Sequence, residues 1–469
     1  MESRYANRAL SDIYAEIQER YRADSWPWIL GYSGGKDSTA LVQLVWSALG
    51  KLTEKELFKS VYILSSDTLV EIPKVINHID LNLNMMSEAA HQQGLPFKPI
   101  KVFPDVNNSF WVTLIGKGYP APTNNFRWCT DRLKIDPTST FIRSQAFTSS
   151  GAILLLGSRK SESAVRKKRI ENHKVFGKRY NPHPEIPTAL VYTLIEDWET
   201  EEVWDYLLDH PSPWGADNKE LVYMYKNASD GECPLIIDIK TPSCGKSRFG
   251  CWCCTVVKEE KALSSLVKHG EKWLAPLQHL RETLLFTQLP DKKKLFREHV
   301  KRTGQSYFIK GKFEEEGIKE LGRGPYTMSF RKDFLRSLLQ TEKKINRDNP
   351  YKDAGFINLI TENELHEIQR IWKEEKSDWE SSVYALYEEV YGKKIDNGID
   401  EIGFLTLEDK QAIQLICNEE NFPAELAMEL LTAAQYHQGL RSKARLKSKI
   451  TKIFNKEWRS ENEIYRDLK

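Results

Sequence analysis

Long apolar runs are missing from this chain, and so is any excess of one charge. Its 469 residues carry 68 Lys and Arg against 66 Asp and Glu, a net charge of +2. Affinity for a polyanion must therefore come from local basic patches and not from bulk charge. No stretch is long and apolar enough to span a bilayer. The opening MESRYANRALSDIYAEIQERY alternates charged and apolar residues at helical spacing and lacks the apolar core of a secretion signal. These absences predict a cytoplasmic protein with no membrane partner. Cysteine is scarce over most of the length. Of seven, five fall between Cys233 and Cys254, which in a large chain without a secretion signal points to metal binding rather than disulfides.

What is present is ordinary for a globular protein. Hydrophobic residues are 40% and charged residues 29%, enough to bury a real core, and the length predicts two or three folded units. Residues 1–25 read as an amphipathic helix. Trp28–Tyr32, Ser60–Ser65, Ile100–Phe103 and Gly151–Gly157 read as strands, with helices over Thr39–Leu49 and Pro73–Gly94. Alternating strands and helices predict an α/β fold, a Rossmann-like parallel sheet covered on both faces. Beyond about residue 260 charged, aromatic-rich helical segments dominate: Lys261–Thr287, Met328–Asn346, Glu362–Gly392 and Lys410–Lys456. The plan expected is a nucleotide domain over 1–230, a cysteine insert over 231–260 and a helical region over 261–469.

Between the first strand and its helix lies Ser33-Gly34-Gly35-Lys36-Asp37-Ser38. A strand, a glycine turn and a helix place backbone N–H groups around an anion. Gly34 and Gly35 allow close approach, Ser33 and Ser38 add hydroxyls, Lys36 adds a charge, and Asp37 suits capping or Mg²⁺. This is not a Walker A loop, because Asp37 rather than Ser or Thr follows Lys36. Asp67 and Thr68 end the second strand, on the side where ligands bind in open α/β sheets; they read as nucleotide or magnesium contacts, or as a helix cap.

The loop resembles that of the PP-loop ATP pyrophosphatases, whose signature is Ser-Gly-Gly-x-Asp-Ser. The resemblance implies that it grips the β–γ pyrophosphate of ATP as a leaving group while a substrate attacks the α-phosphorus. Further segments are similar to phosphoadenylylsulfate (PAPS) reductase-like proteins: Phe126–Lys134, Gly157–Arg166, and Leu194–Leu207 with its two tryptophans. Arg127, Arg132, Lys134, Arg159 and Arg166 suit phosphate or sulfate oxygens collectively, although a surface ion pair is an equal alternative for each. Asp197 is expected to cap the helix carrying Trp204. A PAPS reductase proper fits less well, since the tail Ile464–Lys469 has no cysteine and the loop is intact.

Cys233, Cys244, Cys251 and Cys254 are spaced C-x10-C-x6-C-x2-C, which suits a [4Fe–4S] cluster, a tetrahedral zinc or metal-free thiols; spacing does not choose among them. Cys253 is surplus. Cys129 reads either as a buried small residue or as a thiol that carries a persulfide or attacks the activated phosphate. Cys417 reads as core. The loop, the PAPS reductase-like core and this cysteine set together resemble the DndC-type sulfurtransferases of bacterial DNA phosphorothioation systems, most closely in Leu64–Pro73, Pro213–Asn218 and Ser247–Trp252. That resemblance covers roughly residues 1–260. It implies ATP, Mg²⁺ and a [4Fe–4S] cluster as cofactors, with DNA, a cysteine desulfurase and other phosphorothioation subunits as partners.

The catalytic set so expected is Lys36, Asp37 and Cys129. Ser33–Ser38, Asp67, Thr68 and Arg159 hold the nucleotide, while Arg127, Arg132, Lys134 and Arg166 hold substrate phosphate. Two basic stretches suit a nucleic-acid backbone or a solvated surface: Arg159–Arg179, with nine Lys/Arg against two Glu, and Arg441–Arg459, with eight against one. Thiolation of tRNA or a small molecule, PAPS-type reduction, and an ATP-binding scaffold are the competing readings.

Overall fold

An amphipathic helix, α1 (Leu10–Arg22), leads into the first strand, β1 (Trp28–Gly31). The computed structural model describes residues 5–173, 175, 180–226, 250–309, 320–351, 355–395, 405–437 and 444–467. Among them the chain divides into two compact units, one of residues 1–105 and 122–278, the other of residues 106–121 and 279–469.

In the first unit, β1 passes through the glycine turn to α2 (Lys36–Leu49), then to β2 (Val61–Ser66), α3 (Pro73–Gln92) and β3 (Phe97–Val102). Pro73 opens α3 because its missing N–H and fixed φ suit the first helical position. A short helix, α4 (Trp128–Thr130), runs through a wide turn at Asp131–Ile135 into α5 (Asp136–Thr148), followed by β4 (Ala152–Leu155). Helix α6 (Ala164–His173), the strands β5 (Asn181–Pro182) and β6 (Ala189–Tyr192), and the helices α7 (Thr200–Asp209), α8 (Asn218–Lys226) and α9 (Lys261–Lys268) complete the series.

The sheet order is β3-β2-β1-β4-β6-β5. Pairs from β3 through β6 are parallel, and β5 is antiparallel to β6. Ile29, Leu64, Leu154 and Val191 pack one sheet face against Ile142 and Ala146 of α5. The alternate residues Trp28, Leu30, Ile63 and Leu155 are equally buried on the other face. Burial on both sides explains the near-continuous apolar strands. After β3 the chain returns to add β4 on the opposite side of β1, so the strand order reverses between β1 and β4. In open α/β sheets such a switch point opens a crevice at the carboxyl ends of the strands. The Ser33–Ser38 loop leaves β1 at that crevice.

In the second unit, Thr327 caps the helix Met328–Asp348 and Thr361 with Glu364 forms a capping box on Glu362–Lys376. Arg331, buried at 2% exposure, donates to the Tyr326 and Gly116 carbonyls. Trp111 donates to Leu359 O and Trp372 to Ile115 O. These bonds satisfy the buried donors and tie residues 106–121 to the helices of that unit.

Three of the four helical segments read from periodicity are broken into shorter helices in the fold, while Met328–Asn346 is one helix that runs on to Asp348. Lys261–Thr287 divides into α9 and Ala275–Phe286. Glu362–Gly392 divides at Ser377 and Ser381, both left-handed (φ 50° and 51°), with Asp378 accepting from Gln369 and from the backbone and hydroxyl of Ser382. Lys410–Lys456 contains parts of three helices, Leu407–Glu419, Ala424–Tyr436 and Ala444–Phe454. Asp197 does not cap α7: Glu199 does, in a box with Glu202, because the helix begins two residues later than Asp197 would require. Asp197 pairs instead with Lys160 at 2.6 Å. Cys417 is buried. Among the described residues no helix is long and apolar enough to cross a membrane.

Candidate functional site

The phosphate loop is built from the inside out. Gly34 has φ +69°, and a Cβ there would meet Ile79 of α3 at 2.7 Å, so only glycine makes the turn. Gly35 caps α2 from extended backbone, leaving the first-turn amides directed into the loop. The hydroxyls of Ser33 and Ser38 lie 3.0 Å apart; Ser38 Oγ donates to Gly35 O, and Ser33 Oγ accepts from Gly35 N. Gly157, just beyond β4, approaches so closely that a Cβ would sit 2.7 Å from Asp37 O. The loop is thus clamped across the switch point.

Charge is buried around it. Lys36, 4% exposed, pairs with Asp37 at 3.0 Å, and Asp37 pairs with Arg159 at 2.7 Å. Arg159, 1% exposed, also donates to Ser161 Oγ, Trp198 O and Thr200 Oγ1. Buried cations beside helical amides favour an anion. Arg159 acts on the loop through Asp37.

The end of β2 supplies the second wall. Asp67 accepts from Leu69 N at 2.8 Å and pairs with Lys101 at 3.0 Å. Burial pulls the Lys101 amine down, and the carboxylates of Asp67 and Asp80 outweigh it, leaving its pKa raised. Thr68 Oγ1 donates to Glu71 Oε1 at 2.9 Å and lies 3.5 Å from Cys251 Sγ. Glu71 bridges Cys251 through the backbone, and Lys134 Nζ lies 3.9 Å from Glu71 Oε1. Lys134 therefore sits with the thiols and a carboxylate. Arg166 pairs with Glu162 at 2.6 Å, and Arg127 donates to Asn124 at 2.8 Å. Arg132, half-buried, lies in the wide turn between α4 and α5.

Cys251 and Cys254 share one tight turn, closed by Cys254 N donating to Cys251 O at 3.0 Å. Cys253 between them is buried, and its thiol is pushed well up, first by burial and then by Cys251, Cys129 and Glu71 nearby. Cys129 of α4 thus belongs to the same thiol group. Cys233 and Cys244 lie outside the described residues. Among the described residues, no three or more His, Cys, Asp or Glu are grouped to hold a metal ion.

A glycine loop at the switch point, followed by an Arg-Trp-Cys helix and a thiol turn, has a known counterpart. Residues 27–257 match the family profile of the phosphoadenosine phosphosulfate reductase domain. This segment, just under half of the chain, is similar to that domain. A curated relative, the uncharacterized protein MJ0066 of Methanocaldococcus jannaschii, is 26% identical over 287 residues, which are 59% of this chain and 48% of that protein. The chain thus spans about half the length of the curated relative it matches. Among solved structures it is similar to a PAPS reductase from Candida auris in a phosphate complex (14% identity, 46% of this chain and 91% of that chain, TM-score 0.29). It is also similar to U34-tRNA thiolase NcsA from Methanococcus maripaludis with its [4Fe-4S] cluster (12% identity, 60% and 80%, TM-score 0.25).

Within residues 27–257 several site contacts had no signal in the sequence. Lys101 reaches Asp67 from a neighbouring strand, and Gly157, read only as the start of a resembling segment, meets Asp37 across the sheet. Tyr225 of α8 reaches Lys36 N at 2.9 Å. All are tertiary contacts between positions far apart in the chain. Glu71 had a faint signal, lying four residues beyond Asp67, but nothing in its spacing pairs it with Cys251.

Proposed function

We propose that the PAPS reductase-like domain cleaves ATP between its α and β phosphates, and that the acceptor is a DNA backbone phosphate destined to exchange an oxygen for sulfur. The observation that supports the first step is the loop itself. Gly34 is left-handed, Lys36 is buried at the first turn of α2, and both lie at the switch point of the sheet. The β and γ phosphates rest on the first-turn amides with Lys36 beside them, while Asp37 and Asp67 are the carboxylates available to a phosphate-bound Mg²⁺. A non-bridging oxygen of the acceptor attacks the α-phosphorus, and pyrophosphate leaves. Charge growing on the departing oxygens is stabilised by Lys36 and the helix terminus.

The second step belongs to the thiols. A persulfide on Cys129, charged by a cysteine desulfurase, attacks the adenylated acceptor phosphorus through its terminal sulfur, and AMP leaves. A second thiol of the group then attacks Cys129 Sγ, forming a disulfide and releasing the phosphorothioate; an external dithiol reductant restores both thiols. The tight turn presenting Cys251 and Cys254 suits a soft metal centre completed by Cys233 and Cys244. Bound there, a [4Fe–4S] cluster would supply electrons, and zinc a structural tie.

Purified chain with Mg²⁺, ATP and duplex DNA is expected to release pyrophosphate, and AMP as well once a cysteine desulfurase with cysteine supplies the persulfide. Lys36→Ala is expected to lower that release on the order of 100-fold or more, with unchanged circular dichroism; full activity in this variant overturns the reading. Phosphorothioate linkages in nuclease-digested DNA, dependent on an intact Cys129, check the acceptor. Thiolated tRNA in their place assigns the second step to RNA.

A further inference from the structure

The seat that the loop offers to a phosphate already has an occupant. Tyr225, near the end of α8, accepts a hydrogen bond through Oη from Lys36 N at 2.9 Å. Lys36 N is a first-turn amide of α2, one of the donors without a partner inside the helix. The same Oη lies 2.9 Å from the point where a Cβ on Gly35 would stand, hard against the loop backbone. The ring faces the Lys36 ammonium, 5.4 Å from its centroid, and packs edge-on against Trp204 of α7 at 5.1 Å. The phenol therefore engages the backbone donor and the cation that an anion would use.

We infer that Tyr225 is a surrogate ligand of the phosphate loop, which a polyphosphate must displace, and that its departure moves the end of α8. This inference rests on the proposal that the loop binds ATP. A charged phosphate oxygen makes roughly twice as strong a hydrogen bond to an amide as a neutral phenol does, so the exchange favours the nucleotide once Lys36 is also engaged. The phenol satisfies a buried donor and half-covers a buried ammonium while the loop is empty, and its hydrogen bond must be given up on binding.

The test uses the full chain and α,β-methylene-ATP with Mg²⁺, a triphosphate whose α–β link cannot be cleaved. Tyr225→Phe keeps the ring on Trp204 and removes only the competing oxygen. It is expected to bind the analogue about fivefold more tightly than the native chain, the gain of not breaking one hydrogen bond. Hydrogen exchange of the α8 amides is expected to rise on saturation of the native chain and to be already raised, and unresponsive, in Tyr225→Phe. Equal or weaker binding in Tyr225→Phe, or α8 exchange that ignores the ligand in the native chain, overturns the inference and leaves ATP binding intact. Absence of binding in both proteins overturns this inference and the ATP reading together.

Discussion

At the scale of single residues, the loop depends on what glycine lacks. A methyl at Gly157 would stand 2.7 Å from Asp37 O and 2.9 Å from its carbonyl carbon, backbone atoms that cannot rotate away. Gly157→Ala is therefore expected to push the first turn of α2 out of register. Overpacking of this kind costs about 1–3 kcal/mol, so the variant still folds but binds ATP at least tenfold more weakly. Thermal melting and equilibrium dialysis check the two halves separately. The Lys36–Asp37–Arg159 chain makes a related point. The sequence pattern marked all of these residues for the nucleotide, whereas the fold gives Arg159 a full set of protein acceptors.

At the scale of elements, the β5–β6 hairpin is held by a neutral histidine. His183 Nδ1 accepts from both Glu185 N and Ile186 N at 3.1 Å, so its proton is on Nε2. Burial, helped by the charge of Arg143, pushes its pKa down to about 4. The unfolded chain, with an ordinary histidine near ~6.5, takes up the proton first. Stability is therefore complete above about pH 6.5 and is lost as the pH falls toward 4. His183→Asn, which keeps an acceptor and cannot titrate, is expected to flatten the fall in urea midpoint over that range; an unchanged slope assigns the loss to other groups.

Elements were unequally legible. Strands β1 and β4 announced themselves because both of their faces are buried, which makes them apolar without alternation. Strand β6, Ala189–Tyr192, is as long as β1 and β4 but is bounded by Thr188 and Thr193, which cut its apolar run short, and it went unread. The break at Ser377–Ser381 was invisible for a different reason. Helical spacing continues through it, and two left-handed serines stabilised by Asp378 are set by contacts remote from local propensity. Within the site, the loop was legible because its residues are contiguous. Lys101, Glu71 and Tyr225 were not, because each meets its partner only after the sheet or the thiol turn has formed.

At the scale of the whole molecule, near-neutral charge throws any recognition of DNA onto local stretches. Arg445, Lys447, Lys449 and Lys452 crowd the helix Ala444–Phe454, whose Ile453 packs with Leu426 and Ala433. If phosphates dock there, replacing these four cations with Gln is expected to lower the slope of log affinity against log salt by roughly 3 to 4, read by fluorescence anisotropy on a duplex. Anaerobic purification gives the metal test. Brown protein with matching iron and sulfide is expected, and Cys251→Ser with Cys254→Ser is expected to lose both colour and iron while keeping ATP binding. Colourless protein with stoichiometric zinc removes the iron–sulfur cluster and leaves the metal a structural tie.

The division of the chain has a consequence for how the protein is made and cut. Residues 106–121 leave the ribosome more than 150 residues before the rest of their unit, which begins at residue 279. Until then Val112, Leu114 and Ile115, fully buried in the finished protein, have no partners to cover them. A fragment ending near residue 278 is expected to display them as an adhesive apolar patch, and one beginning near 279 strands the indole N–H of Trp372 and Nη1 of Arg331 without the carbonyls of Ile115 and Gly116. The two halves of this protein are thus sewn together by a single early stitch, and neither is separable by one cut.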